Sequence, residues 1–555
     1  MNRTFRNLDR NHFFYSTFLR RKIMAARERS TPEELVRRIM LLARFAWRNH
    51  PGYYCDGRIE NLLFDFGLNL NSYLKIGEVF DEGSALLPED GRISTIHVAT
   101  EVCQVGGHTR ILYQLVRRHG DPNQVILLTG QRHEKVPRWF RDGIGDTPLI
   151  TLDPADSVFK RAALLRRLAV RAGSVLLYHH PWDAVPVIAL ATAENPPVVL
   201  ENHAHSWFWL GASVADLVVA HSAFHTRFTQ MNRPVRQVHC FPFTQLEDLG
   251  PAATAADKAR ARERLGIPAD CVCLITVGTA EKFIPNDRYN FHVTAHRILE
   301  RFSRARIYVI GTSRDERYPL DTERINYLGY LEDPADYYRA ADICLDALPQ
   351  PSLGATLYAT LIGMACPLYK YGKVSIFNSL NFLEAGLYRR YVGQPETEEA
   401  YLERLAYLIE HPGVRTRIAA EIRQEYLALY SREQVAGNLE RLFEVAGRLH
   451  HAPARLPEPS ILRDEDSAEI ADAGSLQDIR GSLQFFDGFY KAGEKVDLLA
   501  RLVLKPSFTV EVLKLMATTL ARKAQSLIAY SGKGREPYGS TDCVLSAPVP
   551  PHSGK

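Results

Sequence analysis

The sequence lacks the paired-cysteine spacing of a zinc module. Its eight cysteines (Cys55, Cys103, Cys240, Cys271, Cys273, Cys344, Cys366 and Cys543) form no CxxC pair. Most lie in apolar runs, where a reduced cysteine behaves as a small hydrophobe, so a reducing, cytoplasmic setting is expected. Cys271 and Cys273 fall two apart in a strand-like run, on one face, but no second ligand pair with zinc-like spacing follows, so no metal is expected. No uninterrupted apolar run approaches the roughly 18–20 residues that span a bilayer. Charge of either sign is also missing in excess: 68 basic against 64 acidic residues leave a formal net charge of +4. That balance gives no support to a nucleic-acid partner, which requires a concentrated basic face. A composition 46% hydrophobic and 24% charged argues against wholesale disorder.

A chain of 555 residues exceeds what one core usually supports, so two or three domains are expected. Residues 1–30 are basic and aromatic (Arg3, Arg6, Phe13, Phe14, Tyr15, Phe18, Arg20, Arg21, Lys22) without a continuous signal-peptide core. They read as a disordered extension, or as a segment for peripheral contact with the inner face of a membrane. Thr31-Pro32-Glu33-Glu34 then opens a helical region, 31–92, with proline in the first turn and acids at the positive end of the dipole. From Ile93 the pattern becomes strand, loop, helix. Ile93–Ala99, Gln124–Thr129, Leu149–Leu152, Ser174–Tyr178, Pro197–Leu200 and Leu217–Ala220 supply short apolar strands through about residue 248. The cycle restarts over 249–450 with Cys271–Val277, Arg306–Ile310, Ile325–Leu328 and Ile343–Ala347 as strands, the helix Thr356–Ala365, and a further strand from Pro367. Short apolar runs alternating with helices predict the α/β class, with parallel sheets covered on both faces. Residues 451–530 read as an accessory helical region, and 531–555, rich in Gly, Ser and Pro, as a disordered tail.

Ligands in such sheets bind outside the carboxyl ends of the strands, so the loops there carry the chemistry. In the second unit, Ser352-Leu353-Gly354-Ala355-Thr356 enters a helix, where free backbone N–H groups and the macrodipole favour an anion such as a diphosphate. Lys282, after the first strand of that unit, adds a mobile positive charge. In the first unit, Gly106-Gly107-His108 opens a helix. Tyr178-His179-His180-Pro181-Trp182-Asp183 and Glu201-Asn202-His203-Ala204-His205-Ser206-Trp207 end two successive strands. Imidazole accepts a hydroxyl proton near neutral pH, which makes His108 and His205 candidate bases. His180, Asp183, Asn202, His203 and Trp207 are candidate acceptor contacts through hydrogen bonds and ring stacking.

The order VGTAEKF, then GYLEDPADYYRAADICLD, then GATLYATLIGMACP resembles the donor half of GT-B glycosyltransferases. It looks most like bacterial relatives of the O-GlcNAc transferase and protein-glucosyltransferase group, over about Ile93 to Arg448. The resemblance implies two Rossmann-like domains facing a cleft, with helical N- and C-terminal additions. It implies a nucleoside-diphosphate sugar, UDP-linked, as co-substrate, with no further cofactor. Donor contacts then carry onto Gly106, Gly107, Lys282, Gly354, Ala355 and Thr356, with Tyr330 beside the base. Relatives commonly hold the ribose with an acid on the helix after the glycine loop. Thr360 stands near that place here and is expected as a donor contact, hydrogen-bonding a ribose hydroxyl without charge assistance; the next acid is Glu384. The expected activity is sugar transfer to a hydroxyl on a glycan or protein acceptor. The alternatives are a nucleotide-sugar epimerase of the same fold and a catalytically inactive sugar- or nucleotide-binding scaffold.

Overall fold

The computed structural model describes residues 5–74, 93–104, 106–242, 252–285, 289–314, 323–331, 333–368 and 397–472. Glu384, most of the expected accessory region and the expected tail lie outside the described residues.

The first sheet has seven parallel strands: β1 (Ile93–Ala99), β2 (Gln124–Leu128), β3 (Leu149–Thr151), β4 (Ala172–Tyr178), β5 (Val198–Glu201), β6 (Leu217–Ala220) and β7 (Val238–Cys240). Their spatial order is β3-β2-β1-β4-β5-β6-β7, so the chain winds outward from β1, returns, and winds the other way from β4. β2, β5 and β6 are buried at every position, as expected of strands covered on both faces. The second sheet runs β10-β9-β8-β11, from β8 (Val272–Val277), β9 (Ala305–Ile310), β10 (Ile325–Gly329) and β11 (Ile343–Cys344), again all parallel. The α/β class and the paired parallel sheets expected from the sequence are both present.

Local chemistry sets the helix ends. Thr31 accepts from the Glu34 N–H with Pro32 in the first turn, and Thr254 and Asp257 form a reciprocal capping box. Gly266, left-handed at φ 64°, ends that second helix.

Several boundaries differ from expectation. Helical turns cover Arg6–Ala26, and Leu8, Phe14, Tyr15 and Ile23 are buried. Arg20 pairs with the buried Asp56 carboxylate at 2.9 Å, and Tyr15 donates to the same oxygen at 3.0 Å. Residues 6–26 are therefore part of the folded body, with Phe13, Phe14 and Tyr15 turned into it, and not a disordered extension. The helix Pro412–Tyr430 packs in the second sheet's core through Ile418, Ile422 and Tyr426. The next helix, Arg432–Gly447, packs in the first sheet's core through Val435, Leu439 and Leu442. Residues assigned by sequence to the second domain thus return to the first. The following segment stays there: His451 bonds the Asp216 carboxylate at 2.7 Å, and the Ala454 N–H donates to the Ser213 carbonyl at 2.9 Å. The strand expected over Ile343–Ala347 is confined to Ile343–Cys344. The helix expected over Thr356–Ala365 spans Leu353–Leu361, and no strand begins at Pro367–Leu368. Among the described residues, no helix is long and apolar enough to cross a membrane.

Candidate active site

Both sheets reverse their winding once, at β1/β4 and at β8/β11. The crevice outside the carboxyl ends of two such strands is where open α/β sheets bind ligands. The chemistry-bearing residues gather at these two places.

At β1/β4 the loop after β1 carries Glu101, the helix Gly107–His119 begins with His108, the loop after β4 carries His180, and β5 ends at Glu201 before His203. The His108 ring centroid lies 5.3 Å from that of His203 and 5.5 Å from that of His180. His108 Nε2 is 3.4 Å from the Glu101 carbonyl oxygen, and His180 Nε2 is 3.7 Å from the Glu101 carboxylate. Glu201, buried, holds two imidazoles. His203 Nδ1 lies 3.1 Å from its Oε2, and His221 Nε2, from the loop after β6, 2.5 Å from its Oε1. Burial alone would raise the Glu201 carboxyl, but the hydrogen bonds from His203 and His221 outweigh it and hold it well below the usual range. An ionised Glu201 only accepts, so Nδ1 of His203 carries a proton and its Nε2 faces away from the carboxylate. Burial, reinforced by His203, lowers His108 to about 4, and burial with His108 and His203 lowers His180 well below normal. Both rings are neutral at physiological pH. A small cavity lies alongside, lined by His179, Leu200, Glu201, Asn202, His203 and Trp209.

The other first-sheet candidates sit differently. Asp183 is buried and accepts from Thr100 Oγ1 at 2.7 Å, Thr129 Oγ1 at 2.5 Å and the Val185 N–H at 2.9 Å. Thr100 Oγ1 in turn accepts from the His180 N–H at 2.8 Å. Asp183 therefore ties the ends of β1, β2 and β4 and positions His180; its oxygens are already taken up by the protein. Asn202 donates to Thr229 Oγ1 at 3.0 Å. Trp207 packs with Tyr54, Phe228 and Ile470 in an apolar group. His205 meets His225 edge-on, ring centroids 3.6 Å apart, and burial with the Arg233 charge lowers it to about 3. The structure thus brings together His108, His180 and His203, and pairs His205 with another ring.

At β8/β11 the loop after β8 contains Gly278 and Lys282, and the loop after β11 leads to Ser352, which precedes the helix Leu353–Leu361. Lys282 Nζ donates to the Pro351 carbonyl at 2.7 Å, and the Gln350 N–H donates to the Lys282 carbonyl at 3.3 Å. Asp346 Oδ1 accepts from the Ala347 and Ser352 N–H groups at 2.9 and 3.1 Å, which folds the loop back under the helix start. Ser352, 6% exposed, has no partner for its hydroxyl. A Cβ on Gly278 would lie 2.9 Å from that hydroxyl, so the glycine keeps the approach open. Gly311, at φ 95°, lets the loop after β9 pass within 2.6 Å of the Gly278 carbonyl, measured from an ideal Cβ. Gly354 and Ala355 are half-buried at the helix start, whereas Thr356 is buried. The Thr360 hydroxyl donates to the Thr356 carbonyl at 2.9 Å and is buried, so it is spent within its own helix and not offered to a ribose. Tyr330, 57% exposed, follows Gly329 at the end of β10.

Sequence reasoning passed over Glu101, His221, Ser352 and Gly278 as site residues. His221 follows its strand end as closely as His203 follows its own, and that position was the available signal. Among the described residues, no group of three or more His, Cys, Asp or Glu side chains is arranged to hold a metal ion.

No protein-family model matches the sequence, and no curated protein is significantly similar to it. Solved structures are similar in part. Anabaena HepE, in complex with UDP and glucose, is 13% identical over 64% of this chain and 100% of its own, with a TM-score of 0.49. An O-GlcNAc transferase mutant of Thermobaculum terrenum is 15% identical over 79% of this chain and 82% of its own, at 0.46. A glycosyltransferase of Rickettsia africae is 12% identical over 64% and 99%, also at 0.46. Likenesses this distant leave function to be argued from the chain's own residues.

Proposed function

We propose that the chain is a glycosyltransferase that moves a sugar from a UDP-linked donor to a hydroxyl acceptor. The observation that carries this is the pairing of two unlike sites in one chain: an imidazole cluster oriented by a buried carboxylate at β1/β4, and a glycine-walled helix start beside a lysine at β8/β11. The second suits a diphosphate, since backbone N–H groups, the Ser352 hydroxyl and the Lys282 ammonium are all donors. Tyr330, exposed after β10, would stack on the base. The first suits proton removal from a hydroxyl.

In the reaction, the acceptor oxygen forms a bond to the anomeric carbon while the bond from that carbon to the diphosphate oxygen breaks. Negative charge grows on the leaving diphosphate, where the helix start and Lys282 stabilise it. The acceptor proton passes to Nε2 of His203, the ring that Glu201 orients through Nδ1. His108 and His180, neutral beside it, bind acceptor hydroxyls without repelling the imidazolium. We therefore assign the base to His203 in preference to His108 or His205.

Calorimetry with UDP, UDP-sugars and other nucleoside diphosphates tests the reading. A 1:1 UDP complex weakened by Lys282→Met supports it. No binding by any nucleoside diphosphate contradicts it and favours the scaffold.

A further inference from the structure

Arg233 follows the helix Ala223–Asn232, and its side chain runs beneath the loop after β5. The residue is 4% exposed. Its guanidinium lies 4.7 Å from the Trp209 ring centroid and 5.2 Å from that of Tyr54. Nη2 donates to the Trp207 carbonyl, but Nε and Nη1 have no partner, and no carboxylate pairs with the group among the described residues. A buried, unpaired charge is costly, and two ring faces offset only part of that cost.

The surroundings add two further donors, one N–H of the neutral His50 ring and the Trp209 indole N–H. Both ring nitrogens of His50 are buried without a partner, and that ring lies 4.6 Å from Tyr54, tilted by 39°. Trp209 Nε1 is likewise unpartnered. The nearby Cys55 thiol, pushed up to about 12 by burial, stays neutral and supplies no counter-charge, while Arg233, lowered to about 10 by burial, stays charged.

We propose that Arg233, with His50 and Trp209, forms a binding site for a small oxyanion of the phosphate or carboxylate type, separate from the β8/β11 diphosphate site. The planar guanidinium fork supplies two parallel N–H donors to such a group. The site stands whether or not the glycosyltransferase reading is correct.

Titration calorimetry on the whole chain, with inorganic phosphate and acetate in separate runs at fixed ionic strength, tests it. Saturable 1:1 binding of either is expected, and the tighter one names the anionic group. Lys282→Met should leave this binding within about twofold. Arg233→Lys, which keeps the charge but loses the fork, should weaken it ~10-fold or more. Trp209→Phe, which keeps the ring and loses one donor, should weaken it a few-fold and serves if Arg233→Lys does not fold. Absence of binding, or equal binding by wild type and both variants, overturns the site. Loss in Lys282→Met alone moves the anion to the diphosphate site and also overturns it.

Discussion

Lys282 and Pro351, 69 positions apart in sequence, are joined by a 2.7 Å hydrogen bond from Nζ to the carbonyl oxygen. The bond closes the loop after β8 against the loop before the helix Leu353–Leu361, so the ammonium lies beside the helix start that is proposed to take the diphosphate. Lys282→Met removes both the tie and the charge. UDP affinity, read by calorimetry, should fall ~10- to 100-fold, the worth of one charge-assisted hydrogen bond.

His203 and His205 separate as candidate bases. His203→Ala should lower the transfer rate ~10²- to 10⁴-fold with UDP affinity unchanged, as loss of a general base does. His205→Ala should change the rate by less than about threefold, because that ring is engaged with His225. A single-turnover assay on both variants decides it; the reverse ranking would return the role to His205.

Glu60 offers a pH test with an opposite sense to the histidines. Its carboxylate accepts from the Gly211 and Ser213 N–H groups at 3.1 and 2.7 Å, and burial raises it to about 7. Between about pH 4.5 and 7 the folded chain holds a proton there that the unfolded chain has released, so this group's contribution falls as pH rises through that window. Glu60→Gln should therefore gain on wild type by about 3 kcal/mol from pH 4.5 to 7.5, at ~1.4 kcal/mol per pH unit. Urea unfolding of both proteins across that range measures it.

Acid should unfold the chain early. Burial lowers His50, His97 and His205 to about 3 and His108 to about 4, below the 6.5 of a free histidine. The unfolded chain takes up these protons from about pH 6.5 downward and the folded chain does not, so stability is lost as pH falls from 6.5 toward 3. A melting temperature that holds steady from pH 7 to 4 would contradict this.

Gly311→Ala should be severe. Its φ of 95° suits glycine, and an added Cβ would meet the Gly278 carbonyl oxygen at 2.6 Å, a backbone atom that cannot swing aside. A cost of at least ~2 kcal/mol in chemical denaturation is expected, with weakened UDP binding because the Gly278 loop must shift.

The strands with apolar runs were legible from sequence. Gln124–Leu128 and Leu217–Ala220 are hydrophobic because both sheet faces are covered, and that composition marks a parallel strand. Val238–Cys240 was missed, since three residues including a histidine give no period to read. The N-terminal residues were misread for a different reason. Arg20 looks like a solvated charge until Asp56, 36 positions later, is seen to pair with it. The site shows the same division. His108, His180 and His203 were found because each follows a strand, whereas the Glu201–His221 bond depends on β5 and β6 being neighbours. Thr360 was placed correctly on its helix, but only the structure shows its hydroxyl turned back to the carbonyl four residues earlier.

The most direct test incubates the purified chain with each UDP-sugar and a panel of glycan acceptors, and follows UDP release and acceptor mass by mass spectrometry. The account predicts acceptor-dependent UDP release, an acceptor heavier by one sugar, and loss of both in His203→Ala. UDP release that needs no acceptor, or equal product from wild type and His203→Ala, would contradict it.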